Sequence, residues 1–329
     1  MDAVGSPVRT RVGEGGTGVI ELDRPGALNA LDLTMVRLMT QALEGWRDDT
    51  AVRSVVVRST SPKAFCSGGD IRAVRAAALA GDETAVKTYF TAEYGLNAMI
   101  ARYPKPYTAL IDGYAMGGGL GISVHGSARV VTERAALAMP ETGIGFFPDI
   151  GASYFLPRLP GAVGWYLGLT GVRVSGAAAV ACGLATHYVP AAELPALEAA
   201  LTGDDGTAPA GAPPARYVGA PPSELTDHLA AIERCFAAPD LGEVWARLVA
   251  EDEDRAWADD TLEALRRASP ASLAITFDLL GRGARAELEE CLADELALAC
   301  ETAFTPDFAE GVRAALVDKD RKPTWSATL

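Results

Sequence analysis

Residues 111–151 read IDGYAMGGGLGISVHGSARVVTERAALAMPETGIGFFPDIG. The run Gly117, Gly118, Gly119 follows apolar Tyr114-Ala115-Met116 and precedes Leu120-Gly121-Ile122, so a strand delivers bare backbone into the start of a helix. Main-chain N–H groups at such a start have no intrahelical acceptor and can bind a developing anion. Further on, Glu141 and Asp149 stand among Met139, Pro140, Ile144, Phe146, Phe147, Pro148 and Ile150. Carboxylates in apolar company are either paired or used.

A second amide-bearing turn lies upstream. Lys63-Ala64-Phe65-Cys66-Ser67-Gly68-Gly69-Asp70-Ile71 runs from strand through a glycine pair into a helical pattern. Two such turns in one chain can make a two-donor oxyanion site. Strands at 52–59, 107–112 and 128–132 alternate with helical stretches, one of them 73–101, which predicts an α/β domain. At the N-terminal side, residues 8–12 and 18–22 predict a hairpin around Gly13-Glu14-Gly15-Gly16-Thr17. That turn also fits G-x-G-x-x-G, but a second strand follows it where a dinucleotide site needs a helix. A helix is predicted over 33–48 with Asp32 as its N-cap.

The expected organisation is a core over residues 1–202, a flexible loop over 203–222 rich in Pro, Ala, Gly and Asp, and a helical region over 223–329. Leu288, Leu292, Leu296 and Phe304 form one face of that region, and Phe308, Val312 and Leu316 another.

Composition narrows the function classes. The 329-residue chain is 49% apolar and carries a net charge of −14, which argues against nucleic-acid binding. No apolar run reaches membrane-spanning length, and MDAVGSPVRTR lacks a hydrophobic secretory segment, so a cytoplasmic location is expected. The five cysteines show no ligand or disulfide spacing, and the three histidines show no metal spacing. Gly121-Ile122-Ser123-Val124-His125 misses the serine elbow, because His125 stands where glycine is needed. Cations that could meet a small anionic ligand are Arg24, Arg72, Arg75 and the cluster Lys319, Arg321, Lys322.

Phe65 to Ile71 and Gly113 to Gly119 resemble the two signature segments of the enoyl-CoA hydratase/isomerase (crotonase) superfamily. Residues 140–151, PETGIGFFPDIG, and the C-terminal DFAEGVRA with Asp318-Lys319-Asp320 resemble its 3-hydroxyisobutyryl-CoA hydrolase branch. The resemblance implies an α/β spiral of ββα units with a C-terminal helical region. It further implies a thioester carbonyl held by the amides of Gly69 and Gly118, with Glu141 as the principal catalytic acid and Asp149 as a second one. Substrate contacts are implied for Glu93, Gly68, Asp70 and Ile71, and also for Arg24, Ala27, Leu28 and Phe146. Gly121 occupies the place of the hydratases' second catalytic glutamate, which favours thioester hydrolysis over water addition. The implied substrate is a short branched 3-hydroxyacyl-CoA, most simply 3-hydroxyisobutyryl-CoA of valine breakdown. No cofactor is implied beyond the coenzyme A of the substrate, and no metal; a second copy of the chain is a candidate partner. The competing readings are an enoyl-CoA hydratase or isomerase, and an inactive acyl-CoA-binding protein.

Overall fold

The computed structural model describes residues 5–204, 206 and 211–326. Of the expected 203–222 loop, residues 205 and 207–210 lie outside the described residues. The chain divides into two compact units, each assembled from three stretches of sequence.

The first unit comprises Met1–Gly69, Gly95–Leu137 and Val174–Ser223. Its larger sheet has six strands in the order β1-β2-β3-β5-β7-β10. Here β1 is Val8–Val12, β2 Thr17–Leu22, β3 Ser54–Ser59, β5 Tyr107–Ile111, β7 Ala128–Val131 and β10 His187–Tyr188. Strands β1 and β2 form the expected antiparallel hairpin, closed by Gly13 N–H on the Thr17 carbonyl at 2.9 Å. Every other pairing in this sheet is parallel. The parallel strands therefore read as apolar runs rather than alternations: all five residues of β5 are buried.

A smaller sheet, β4-β6-β8-β9, uses Ala64–Cys66, Tyr114–Met116, Ala136–Ala138 and Val174–Ser175. Each ββ step, β3 to β4, β5 to β6 and β7 to β8, adds one strand to each sheet, and this stepwise addition is the repeat of the spiral. The helix Leu33–Arg47 starts as expected, with Asp32 accepting from Met35 N–H at 2.8 Å, a cap worth about 1 kcal/mol. Beneath the large sheet, Val56, Leu110 and Val130 pack with Val189, Leu197, Leu201 and Tyr217. Tyr217 belongs to the segment expected as a flexible loop, yet it is buried in this cluster and its hydroxyl donates to Glu193 at 2.7 Å.

The second unit comprises Asp70–Tyr94, Ala138–Arg173 and Glu224–Leu329 and is almost wholly helical. The helical stretch expected over 73–101 is two helices, Ile71–Leu79 and Glu83–Ala101, separated at Gly81. Backbone meets backbone in this unit: a Cβ on Gly145 would overlap the Asp307 carbonyl, and one on Gly311 would overlap Ile144. That contact seats the helix Pro306–Val312 against the turn Glu141–Ile144. Phe146 centres an aromatic group, stacked on Phe90 at 5.6 Å and Phe147 at 4.6 Å, with Phe308 tilted at 5.5 Å. All five cysteines are free thiols.

Candidate active site

Each unit carries one set of chemically notable groups. In the first unit they are main-chain amides. Gly68 has φ +104°, and a Cβ there would stand 3.2 Å from the Met116 carbonyl and 3.8 Å from the Gly118 nitrogen. The two glycine turns are therefore neighbours, and only bare backbone fits between them. Gly69 forms a parallel bridge with Leu31, whose N–H donates to the Gly68 carbonyl at 2.8 Å. Gly118 opens the helix Gly118–Val124, in which the Leu120 N–H returns to the Gly117 carbonyl at 2.7 Å. As the first helical residue, Gly118 has an N–H with no acceptor inside its helix.

The same unit brings Arg24, Ala27 and Leu28 to this place. The Ser67 N–H donates to the Leu28 carbonyl at 3.0 Å and its hydroxyl to the Ala27 carbonyl at 3.3 Å. Asn29 pins the turn: it is buried, left-handed at φ 56°, accepts from the Arg24 N–H at 2.8 Å and donates to the Phe65 carbonyl at 3.0 Å. Asparagine tolerates that conformation, which is why it can do this job. Arg24 Nη1 itself donates to the Ala30 carbonyl at 2.8 Å, so part of its donor capacity goes to holding the turn.

In the second unit the notable groups are carboxylates. Glu141 opens a 3-10 turn, Glu141–Ile144, fixed by Thr142 through its hydroxyl on the Leu169 carbonyl (3.1 Å) and its carbonyl under the Ser269 N–H (3.0 Å). Glu93 and Tyr94 lie on the helix Glu83–Ala101, and Asp149 ends the aromatic segment. Glu93, Glu141 and Asp149 are all buried, and among the described residues none is ion-paired with a lysine or arginine. Burying such a charge without a partner costs several kcal/mol, so protons are held tightly here. Burial first, and then the Asp149 charge, pushes Glu141 and Glu93 well above the usual carboxylate range. Burial also raises Asp149, but to only about 6, opposed by the Tyr94 hydroxyl that donates to its Oδ2 at 2.7 Å. Glu93 Oε1 and Glu141 Oε2 have no hydrogen-bond partner. Asp149 is thus the least raised of the three acids, and two buried oxygens stand ready for a polar ligand.

The remaining expected residues have structural tasks on view. Asp70 caps the helix Ile71–Leu79, accepting from the Ala73 N–H at 3.3 Å; Ile71 is that helix's first residue. Phe146 lies within the aromatic core at 1% exposure. Arg75 donates to the Ala309 carbonyl at 2.7 Å, whereas Arg72 is exposed. Lys319, Arg321 and Lys322 are exposed on a loop held by Arg313, which pairs with Glu310, Asp318 and Asp320. Among the described residues no group of three or more His, Cys, Asp or Glu side chains is placed to share a metal ion.

Two residues at the site carry no sign of their role in the sequence. Tyr94 is visible only as a neighbour of Glu93, and no sequence pattern shows that its hydroxyl meets Asp149. Glu295 lies beside the Leu292–Leu296 face, where a lone acid reads as solvated; it is in fact fully buried. It accepts from the Gly151 N–H at 2.6 Å, the Ser153 N–H at 3.0 Å and the Ser153 hydroxyl at 2.5 Å.

A ββα spiral with paired amide turns, together with a helical unit carrying buried acids, defines a crotonase-type protein. The chain belongs to the enoyl-CoA hydratase/isomerase family, whose model matches residues 17–329. Within it, the chain is 42% identical to the mitochondrial 3-hydroxyisobutyryl-CoA hydrolase of Danio rerio, over 94% of this chain and 83% of that protein. It is 39% identical to the Homo sapiens protein of the same name, over 95% and 82%. Among solved structures, an enoyl-CoA hydratase from Rhodobacter sphaeroides 2.4.1 superposes with TM-score 0.88 at 41% identity, covering 98% of this chain and 93% of that one. A carnitinyl-CoA dehydratase from Mycobacterium thermoresistibile also reaches 0.88, at 36% identity, covering 97% and 91%.

The expected cytoplasmic location is corrected by these relatives, since both animal hydrolases are named mitochondrial. The absence of a hydrophobic secretory segment does not bear on that compartment, because mitochondrial transit peptides are amphipathic and Arg-rich rather than apolar.

Proposed function

We propose that this chain hydrolyses a short branched 3-hydroxyacyl-CoA, foremost 3-hydroxyisobutyryl-CoA, to 3-hydroxyisobutyrate and CoA, as a step of valine breakdown. The observation that carries this reading is the buried carboxylate cluster of Glu93, Glu141 and Asp149, with unpartnered oxygens on the two glutamates. A site built so polar in an apolar surrounding favours a substrate that brings hydroxyl and carbonyl groups.

The amides of Gly69 and Gly118 are assigned to the thioester oxygen, where fixed donors stabilise the charge of the tetrahedral intermediate. Glu141 acts on the carbonyl carbon, directly or by taking a proton from water; the C–S bond breaks and CoA leaves as the thiol after protonation. In the direct route the acyl group passes to Glu141 as an anhydride, which water then cleaves to regenerate the carboxylate. Asp149, held by Tyr94, is assigned to the 3-hydroxyl, and Glu93 to a further substrate contact. The chemistry is assigned without metal or redox cofactor, coenzyme A entering as part of the substrate.

The test is thiol release from 3-hydroxyisobutyryl-CoA and isobutyryl-CoA. The proposed role of Asp149 requires the hydroxylated thioester to be cleaved much faster; equal rates contradict it.

A further inference from the structure

Glu295 has no part in the chemistry above, yet it is a carboxylate with 0% exposure in the middle of the helix Leu288–Thr302. All three of its donors come from one short stretch, Gly151 and Ser153. That stretch begins the four-residue helix Ala152–Phe155, and its turn is closed by the Ala152 N–H on the Asp149 carbonyl at 2.9 Å. Between Asp149 and Gly151 stands Ile150 at φ +58°. A β-branched residue does not adopt the left-handed region unless its surroundings impose it. The next residue, Gly151, is left-handed as well at φ +83°.

Glu295 supplies that imposition. Its Oε2 draws in the Gly151 amide and its Oε1 the Ser153 amide, so the two residues after Ile150 are held from the same side chain. Two fixtures thereby define where the Asp149 carboxylate points: the Tyr94 hydroxyl on the side chain, and the Glu295-bound turn on the backbone. A carboxyl in the middle of a buried helix is costly unless its oxygens are met, and here both are met by donors from the turn that follows Asp149. Burial pushes it up to about 8, and the nearby Asp149 charge adds to that.

Resting on the assignment of Asp149 to the substrate hydroxyl, we propose that Glu295 is a positioning residue that aims Asp149 and so sets the preference for a 3-hydroxylated acyl chain.

Binding without turnover provides the test. In the Glu141→Gln background, the affinities of 3-hydroxyisobutyryl-CoA and isobutyryl-CoA are measured on each preparation, so a partly misfolded fraction cancels from their ratio. Adding Asp149→Asn should abolish the discrimination. Adding Glu295→Gln should lower it about tenfold, because a displaced hydrogen-bonding group loses its partner. Ser153→Ala, which removes one of the three donors and leaves both amides, should lower it by a smaller factor and serves if the Glu295 variant does not fold. Intact discrimination in both the Glu295→Gln and Ser153→Ala proteins, with Asp149→Asn losing it, overturns the proposal. Intact discrimination with Asp149→Asn shows instead that the assignment of Asp149 to the hydroxyl is wrong.

Discussion

The two units use opposite materials for function. In the first, the groups assigned to the substrate are backbone amides at Gly69 and Gly118, positioned by strands, turns and the absence of side chains. In the second they are side-chain carboxylates, buried and, among the described residues, not ion-paired with a lysine or arginine, with Asp149 held by the Tyr94 hydroxyl. Amides are fixed dipoles with no proton to gain or lose, so the first set is indifferent to pH. The second set is governed by where its protons are, and burial is the leading reason that Glu93, Glu141 and Asp149 all hold theirs more tightly than free acids. A fold can therefore separate a site's electrostatic scaffold from its titratable chemistry.

The comparison makes graded predictions. The largest effect belongs to the acids: Glu141→Gln should lower turnover by about a thousandfold or more while leaving thioester binding largely intact, since size is kept and the reactive carboxylate is lost. Turnover within a few-fold of the parent would remove Glu141 from the chemistry. The amide set comes next. Gly118→Pro deletes one donor and should cost about a hundredfold in rate; a folded variant with parental rate would place the oxyanion site elsewhere.

Tyr94→Phe should act more gently, by about tenfold, through one lost hydrogen bond to a charged group. It also carries a sign. The Tyr94 hydroxyl holds Asp149 down, so its removal lifts Asp149 above about 6 and moves the acid limb of the pH–rate profile to higher pH. An unmoved limb would separate Asp149 from the rate.

The smallest effect is on stability. Glu295 is raised from 4.5 to about 8 on folding, chiefly by burial. Its contribution is fully present below the unfolded value and is lost as pH rises through about 8, because the folded state binds more protons than the unfolded one. Asp149, Tyr94 and Cys291 are the titratable groups coupled to it. Melting temperature should thus decline between pH 5 and 8 in the parent and less steeply in Glu295→Gln. Equal slopes would mean that Glu295 does not titrate in this window.

What could be read in advance follows the same division. The glycine runs at 68–69 and 117–119 announce themselves because no apolar strand ends in bare backbone without cause, and Glu141 with Asp149 stand out from aromatic neighbours. Strands β3, β5 and β7 are legible as apolar runs of ordinary length. By contrast β9 and β10 have two residues each, too few to show any period, and both fall in a stretch that otherwise reads as helix. Glu295 was illegible for a different reason: its partners lie 142 to 144 residues away, and a single acid beside a leucine face looks solvated until the fold buries it. Tyr217 is similar, since a Pro- and Gly-rich segment carries no periodic sign that one aromatic ring will anchor it.

On the proposed function the acid cluster serves thioester hydrolysis and not hydration, the reading that Gly121, which carries no carboxylate, favours. Two rates measured on one preparation decide it: thiol release from 3-hydroxyisobutyryl-CoA, and loss of the conjugated-enoyl absorbance of crotonyl-CoA. Rapid thiol release with negligible hydration is the predicted result. Rapid hydration of crotonyl-CoA with little thiol release would contradict the account and place the chain with the hydratases.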